Sequence, residues 1–294
     1  MAVTGESCAR GPAAVGRPAA ARWLLLCITL GPLIACKGGD GPPRLVLGTT
    51  HTLEDSGLLD VLIRAYNEDH ASARVSVVVA GTGEVLAMAG RGDVDVVLVH
   101  SPVDEMAFLE TGRAVSRQPV MHNDFVILGP ASDPAGIAGV DTAAAALRRI
   151  ANAAHPFVSR GDDSGTHRKE TELWALGGTM PEWDGYIEAG GGMADALRLA
   201  SERRAYVLSD RATYAVLRES LQLILLHEGD ARLHNQYSVL VVTDTRNPAG
   251  ARAFATWLRS GPAQRLIRDY RSEGSSEGRG PALFIPDALE TGRT

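Results

Sequence analysis

Val94-Asp95-Val96-Val97-Leu98-Val99, followed by His100-Ser101-Pro102, is an apolar run of strand length closed by turn residues. Val75 to Val79, closed by Gly81-Thr82-Gly83, is a second such run, and Leu45-Val46-Leu47, ending at Gly48, is a shorter third. Between the runs, Leu58, Leu59, Leu62, Ala65 and Tyr66 recur at helical spacing, which predicts an amphipathic helix from Ser56 to about His70. A further helix is expected to run from Gly83 to Gly90. Strands that are apolar throughout and separated by helices imply a mostly parallel sheet covered on both faces. Ligands of such sheets sit beyond the carboxyl ends of the strands. Residues 48–56, 81–83 and 100–102 all fall there.

A second alternating set begins after Phe125-Val126-Ile127-Leu128. The pattern predicts helices near 142–153, after Ser164 and at 193–203, with strands at Phe157-Val158, 205–208 and 223–226. A long strand at 237–242 follows, and Ala251, Phe254, Ala255 and Leu258 mark a last amphipathic helix. No internal repeat is present, and the Gly/Ser-rich stretch at 272–280 reads as a surface loop.

The chain has 294 residues, enough for two domains or one two-lobed fold. Its formal charge of −6, with no basic stripe, argues against a nucleic-acid partner. That charge does not exclude an anionic ligand, because a buried site is set by local donors. The cysteines are Cys8, Cys27 and Cys36, so residues beyond 36 have no disulfide framework, thiolate zinc site or cysteine nucleophile. Arg17 and Arg22 precede the apolar run from Trp23 to Ala35, which ends in Leu33-Ile34-Ala35-Cys36. A basic flank before a short apolar segment is a secretory signal peptide, too short for a stable membrane span. The Leu33-to-Cys36 stretch resembles a bacterial lipobox, which implies acylation of Cys36. Residues 1–36 are then removed or anchoring, and 37–44 form a Gly/Pro tether.

Four polar segments concentrate hydroxyls, glycines and arginines. They are Gly48-Thr49-Thr50-His51-Thr52, Gly81-Thr82-Gly83, Ser159-Arg160-Gly161-Asp162-Asp163-Ser164-Gly165-Thr166-His167, and Leu208-Ser209-Asp210-Arg211-Ala212-Thr213. Glycines let backbone N–H groups approach a ligand closely. Two of the segments precede predicted helix starts, where unpaired N–H groups favour an anion. Arg160 and Arg211 add planar, permanently charged donors suited to an oxyanion. The same residue types also serve as ordinary caps and turns; it is four such segments together at strand ends that point to a ligand.

These segments also carry a family resemblance. The Thr-Thr pair, Asp55-Ser56-Gly57-Leu58-Leu59, Gly81-Thr82-Gly83, Gly92 to His100 and Met121-His122-Asn123-Asp124-Phe125 resemble tungstate-binding periplasmic proteins. So do Ser159 to His167, Ala205 to Arg211, His234-Asn235-Gln236-Tyr237 and Pro281 to Ala288. The resemblance runs from about 45 to 288. It implies a type II periplasmic-binding fold, with two α/β lobes, two crossover strands and a ligand cleft between the lobes. The crossovers are expected near 123–128 and 234–242, which divides the chain into one lobe at 45–125 plus 232–294 and another at 126–231. It also implies the substrate-binding component of an ABC importer, outside the cytoplasm in the periplasm or at the cell surface, held to a membrane by lipid. The ligand would be tungstate or molybdate, the partner a membrane permease, and the protein a monomer without cofactor or metal. The expected ligand contacts are Thr49, Thr50, Thr82, Arg160, Ser164, Thr166 and Arg211, with no catalytic residue. One departure is His51, which stands where the family usually carries a hydroxyl and either donates one N–H or points to solvent.

Two other readings compete with this one. Arg160-Gly161-Asp162-Asp163-Ser164-Gly165-Thr166 also resembles a loop of phosphate-binding proteins, in which Asp162 would accept the proton that phosphate carries near neutral pH. Tungstate and molybdate carry no proton and want donors only. For a hydrolase, Ser164 and His167 lie on one helical turn, and the one Gly-x-Ser-x-Gly match, Gly274 to Gly278, sits in the polar loop rather than at a strand-to-helix turn.

Overall fold

The computed structural model describes residues 44–70, 74–271 and 282–288. The apolar leader, Cys36, the tether and the 272–280 loop lie outside these residues. In chain order the elements are β1 (Leu45–Thr50), α1 (His51–Asp55), α2 (Leu58–Asp69), β2 (Val75–Ala80), α3 (Thr82–Arg91), β3 (Val96–Val99), α4 (Pro102–Glu110) and β4 (Ala114–Gly129). Then come α5 (Ala143–Asn152), β5 (Phe157–Ser159), α6 (Gly165–Leu176), β6 (Tyr186–Glu188), α7 (Met193–Arg203), β7 (Tyr206–Asp210), α8 (Arg211–Leu217) and β8 (Ile224–His227). The chain closes with β9 (His234–Val242), α9 (Pro248–Leu258), α10 (Gly261–Asp269) and β10 (Ile285–Pro286).

β1 lies between β2 and β3, parallel to both. β5 lies between β6 and β7, again parallel to both. The 16 residues of β4 join the two sets. Its first part, to Asp124, pairs antiparallel with β9, which in turn pairs antiparallel with β3. From Phe125 to Leu128 it pairs instead with β7. The switch from one sheet to the other falls between Asp124 and Phe125, within the crossover the sequence predicts. The expectation of a mostly parallel sheet holds for the three outer strands of each set, and the crossover strands run antiparallel to them.

The pleat explains why the strands are apolar throughout. Val96 and Leu98 pack on one face of their sheet with Leu47, Leu62, Phe254 and Leu258, while Val97 and Val99 pack on the other with Val85, Leu86 and Phe108. Phe125 and Ile127 likewise face Leu147 and Trp174, whereas Val126 and Leu128 face Leu197 and Val207. Both faces of each sheet are covered by helices.

The first polar segment is not a loop. β1 continues through Thr49 and Thr50, which pair with Val79 and Ala80, and the one-turn α1 begins at His51. β-branched threonine fits a pleated strand, and its hydroxyl does not end one. Helices α4 and α10 were not anticipated, although Ser101-Pro102 and Ser260-Gly261-Pro262 place proline in their first turns.

In the core around α6, Glu170 is buried and accepts from Nε1 of Trp174 at 3.0 Å and from the Tyr186 hydroxyl at 2.8 Å. Burial pushes its carboxyl up from an ordinary 4.5 to about 7. The folded chain therefore holds a proton there that the unfolded chain releases. This contribution to stability is full below about 4.5 and is lost as pH rises to about 7. Glu170→Gln is expected to flatten the pH dependence of urea unfolding across that window. Parallel stability curves for the two proteins would show that Glu170 is not the source.

Candidate functional site

β1, β2, β5 and β7 are followed in the chain by α1, α3, α6 and α8, and His100 lies just beyond β3. Nη1 of Arg160, just beyond β5, donates to the Thr52 hydroxyl in α1 at 3.2 Å. Gly81, before α3, lies against the Asp162 loop: a side-chain carbon added there would stand 3.5 Å from the Asp162 carbonyl oxygen. Gly165, at the start of α6, fits against His100 so closely that an added carbon would stand 2.9 Å from its Cε1. Thr52, Gly81 and His100 of one set of strands thus face Arg160, Asp162 and Gly165 of the other. Asp104 of α4 and Arg168 of α6 add an ion pair at 2.8 Å across the same junction.

The hydroxyls of Thr50, Thr82 and Thr166 are buried and have no hydrogen-bond partner, and neither has Nε of Arg160. Leaving a buried polar group unpaired costs about 1–3 kcal/mol each. All four groups lie on, or within two residues of, the contacts that join the two halves of the fold. Ser164 caps α6 by accepting the His167 N–H at 3.3 Å, which leaves its own proton to donate. These five residues are the expected contacts that the structure gathers.

Two other expected contacts are engaged elsewhere. Thr49 donates its hydroxyl to the Leu98 carbonyl at 2.7 Å, tying β1 to β3, so its proton is spent inside the sheet. Nη2 of Arg211 binds Asp124 at 2.8 Å and Glu228 at 2.5 Å, so two carboxylates neutralise its charge. Arg160 contrasts with it. Arg160 is only 2% exposed and shares its fork between Thr52 and Asp162. Gly161 follows at φ 62°, a conformation that suits glycine, and a side chain there would press within 2.7 Å of Glu188. Thr52, fully buried, holds Arg160 by accepting from it, although it is not among the expected contacts. Its hydroxyl in the first polar segment was the available signal. His51 is partly exposed and lies 3.6 Å from Glu54.

A model of the PBP superfamily domain, the periplasmic-binding-protein superfamily, matches residues 14–261. The tungstate-binding protein TupA of Peptoclostridium acidaminophilum is 41% identical over 252 residues, covering 84% of this chain and 86% of that protein. The chain belongs to the tungstate-binding family of periplasmic binding proteins. The crystal structure of the tungstate ABC transporter from Geobacter sulfurreducens superposes with a TM-score of 0.71 at 40% identity, over 79% of this chain and all (100%) of that one. The tungstate binding protein of Desulfovibrio alaskensis G20 superposes with a TM-score of 0.69 at 38% identity, over 84% and 99%. Both are type II periplasmic-binding folds of two α/β lobes, as is this chain.

The titratable groups around these residues are set by burial. His100 is pushed down to about 4 by burial, with Arg160 adding to the shift, so its imidazole is neutral near pH 7. Its Nδ1 lies 2.8 Å from Oδ1 of Asn235, whose Nδ2 donates to Asn123 Oδ1 at 2.7 Å. A neutral ring that donates from Nδ1 keeps Nε2 as an acceptor, and that atom is buried without a partner. Burial raises Asp210 to about 6 and also raises Asp55. Ser164 and His167 are not arranged as a nucleophile and base: the ring Nδ1 receives the Asp163 N–H at 3.1 Å. The Gly274–Gly278 match lies outside the described residues. Among the described residues no group of three or more His, Cys, Asp or Glu is placed to hold a metal, and no helix is long and apolar enough to cross a membrane.

Gly165→Ala would drive a carbon into the His100 ring and carbonyl, 2.9 and 3.1 Å away. Overpacking of this kind costs about 1–3 kcal/mol. Urea denaturation is expected to show that loss, and an unchanged midpoint would mean α6 does not rest on His100.

Proposed function

We propose that this chain captures tungstate outside the cytoplasm, with molybdate as its nearest competitor, and delivers it to the membrane permease of an ABC importer. One observation carries the reading: the buried, unpartnered donors of Thr50, Thr82, Thr166 and Arg160 lie on, or within two residues of, the contacts that join the two halves of the fold. A tetrahedral dianion without a proton is best held by donors from several directions, and neutral hydroxyls around one arginine provide them. Ser164 completes the proposed contacts; Thr49 and Arg211 are left out because their donors are engaged. The lobes, 45–125 with 232–294 and 126–231, would close on the ion from either side. The choice of tungstate is supported by the relatives, which bear that ligand in their names, and the importer by the tungstate ABC transporter of Geobacter sulfurreducens.

Phosphate is the weaker alternative. Asp162, the acceptor expected for its proton, is already engaged: one oxygen receives Arg160, the other the Ser164 N–H at 3.2 Å. Thermal melting with each anion near pH 7 is the test. Ligand at about a hundred times its dissociation constant adds about 2.7 kcal/mol to apparent stability. Tungstate is expected to raise Tm clearly, molybdate by a similar or smaller amount, and sulfate and phosphate little. Losing one partner of a buried charge-assisted pair costs about 2–5 kcal/mol, so Arg160→Ala should weaken tungstate binding by tens-fold or more. A large shift with phosphate alone would sink the assignment, and unchanged affinity in Arg160→Ala would remove Arg160 from the site.

The anchor forms a separate part of the proposal. Acylated Cys36 would hold the lobes at the outer face of a membrane through the 37–44 tether. Metabolic labelling with a palmitate analogue is expected to mark the parent protein and not Cys36→Ala. Equal labelling of both would remove Cys36 as the lipid site.

A further inference from the structure

Asp210 ends β7 fully buried, and its two oxygens are treated differently. Oδ1 accepts the backbone N–H of Thr213 at 2.9 Å and caps α8. Oδ2 is buried with no partner. Asp55, at the end of α1, also has a buried and unpartnered Oδ2. Arg160 stands between these acids electrically, since its charge favours the ionised form of both, while Asp55 opposes ionisation of Asp210. The other groups around Asp210 are few. The Thr213 side chain lies beside it and favours its ionised form. Tyr237 on β9 feels its charge, Phe125 pairs with it on β4, and the adjacent Arg211 is held by Asp124 and Glu228. His51 acts on Asp55 from the same turn of helix.

An ionised carboxylate with one oxygen buried and undonated is unfavourable. The protonated carboxyl keeps Oδ1 as the helix cap and turns Oδ2 into a donor. A dianion held by Arg160 and the three threonines supplies the acceptor that such a donor lacks. We propose that Asp210 takes up a solvent proton when the oxyanion binds and donates it from Oδ2 to an oxyanion oxygen, so that capture is coupled to protonation. No covalent bond to the anion forms; the proton stays on Asp210 and is released when the anion leaves. The inference rests on the oxyanion-binding reading above and adds to it a donor drawn from an acid. Burial already brings Asp210 to about 6, and the approach of a second negative charge raises it further. His100, held near 4 by burial, is neutral before the anion arrives.

Isothermal titration of the full chain with tungstate, in buffers of differing ionisation enthalpy, reads the proton directly. At pH 7.5 the observed heat is expected to vary with buffer, corresponding to uptake of up to about one proton per anion. Between pH 6.5 and 8.5 the affinity is expected to fall by up to about tenfold per pH unit. Asp210→Asn keeps an Oδ1 cap and offers a permanent N–H donor in place of the acid proton. It should bind with buffer-independent heat and an affinity that no longer changes with pH, whereas Asp55→Asn should retain the uptake. Heat independent of buffer in the parent protein overturns the proposal. So does uptake that survives in Asp210→Asn, which would assign the proton to Asp55 or His100. Tungstate bound without a proton defeats this inference alone, while no tungstate heat at any pH defeats the assignment of the ligand itself.

Discussion

A guanidinium charge buried to 2% exposure between two sheets is the constraint on which the site depends. Taking such a charge out of water costs several kcal/mol unless hydrogen bonds and counter-charges replace the solvent. Arg160 obtains part of this replacement from Thr52 and Asp162 and leaves Nε unpaired. The same charge depresses the basicity of His100 and favours ionisation of Asp55 and Asp210. Residues from α1, β3, β5 and β7 are thus linked through one buried cation before any ligand is considered.

The fold makes that burial feasible because the two sheets share a strand. β4 runs through both, and β9 lies beside its first part. Asn123 and Asn235 face each other directly across this pair and are joined by a side-chain amide bond at 2.7 Å. Asn235 in turn holds His100, whose ring stacks on Tyr237 at 4.6 Å between centroids. His100 also sets how near the start of α6 can come, since Gly165 has no room for a side chain there. The chain of amides and rings ties the crossover strands to the position of the opposing helix.

Much of the architecture was legible in the sequence because burial on both faces leaves an unbroken apolar signature. Helix α7 spans the residues that periodicity predicts, and α5 and β5 differ by a residue or so. The long β4 was read only from Phe125 onward, because Ser116, Arg117 and Gln118 lie in its partly exposed stretch and break the apolar run. Of the site, Thr50, Thr82, Arg160, Ser164 and Thr166 were legible as hydroxyls and a cation beside glycines at strand ends.

Sequence alone determined which donors exist and that they cluster at strand ends, because apolar period and turn chemistry are local properties of the chain. Only the tertiary structure decided which donors remain unspent. Thr49 and Thr50 are neighbours of the same type, yet one hydroxyl is given to the Leu98 carbonyl and the other is left buried without a partner. Arg160 and Arg211 both follow strands, yet Arg211 meets two carboxylates, one 87 residues and one 17 residues away in the chain. A hydrogen bond is made by proximity in space, and the residues that compete for each donor are set by strand pairing across the fold.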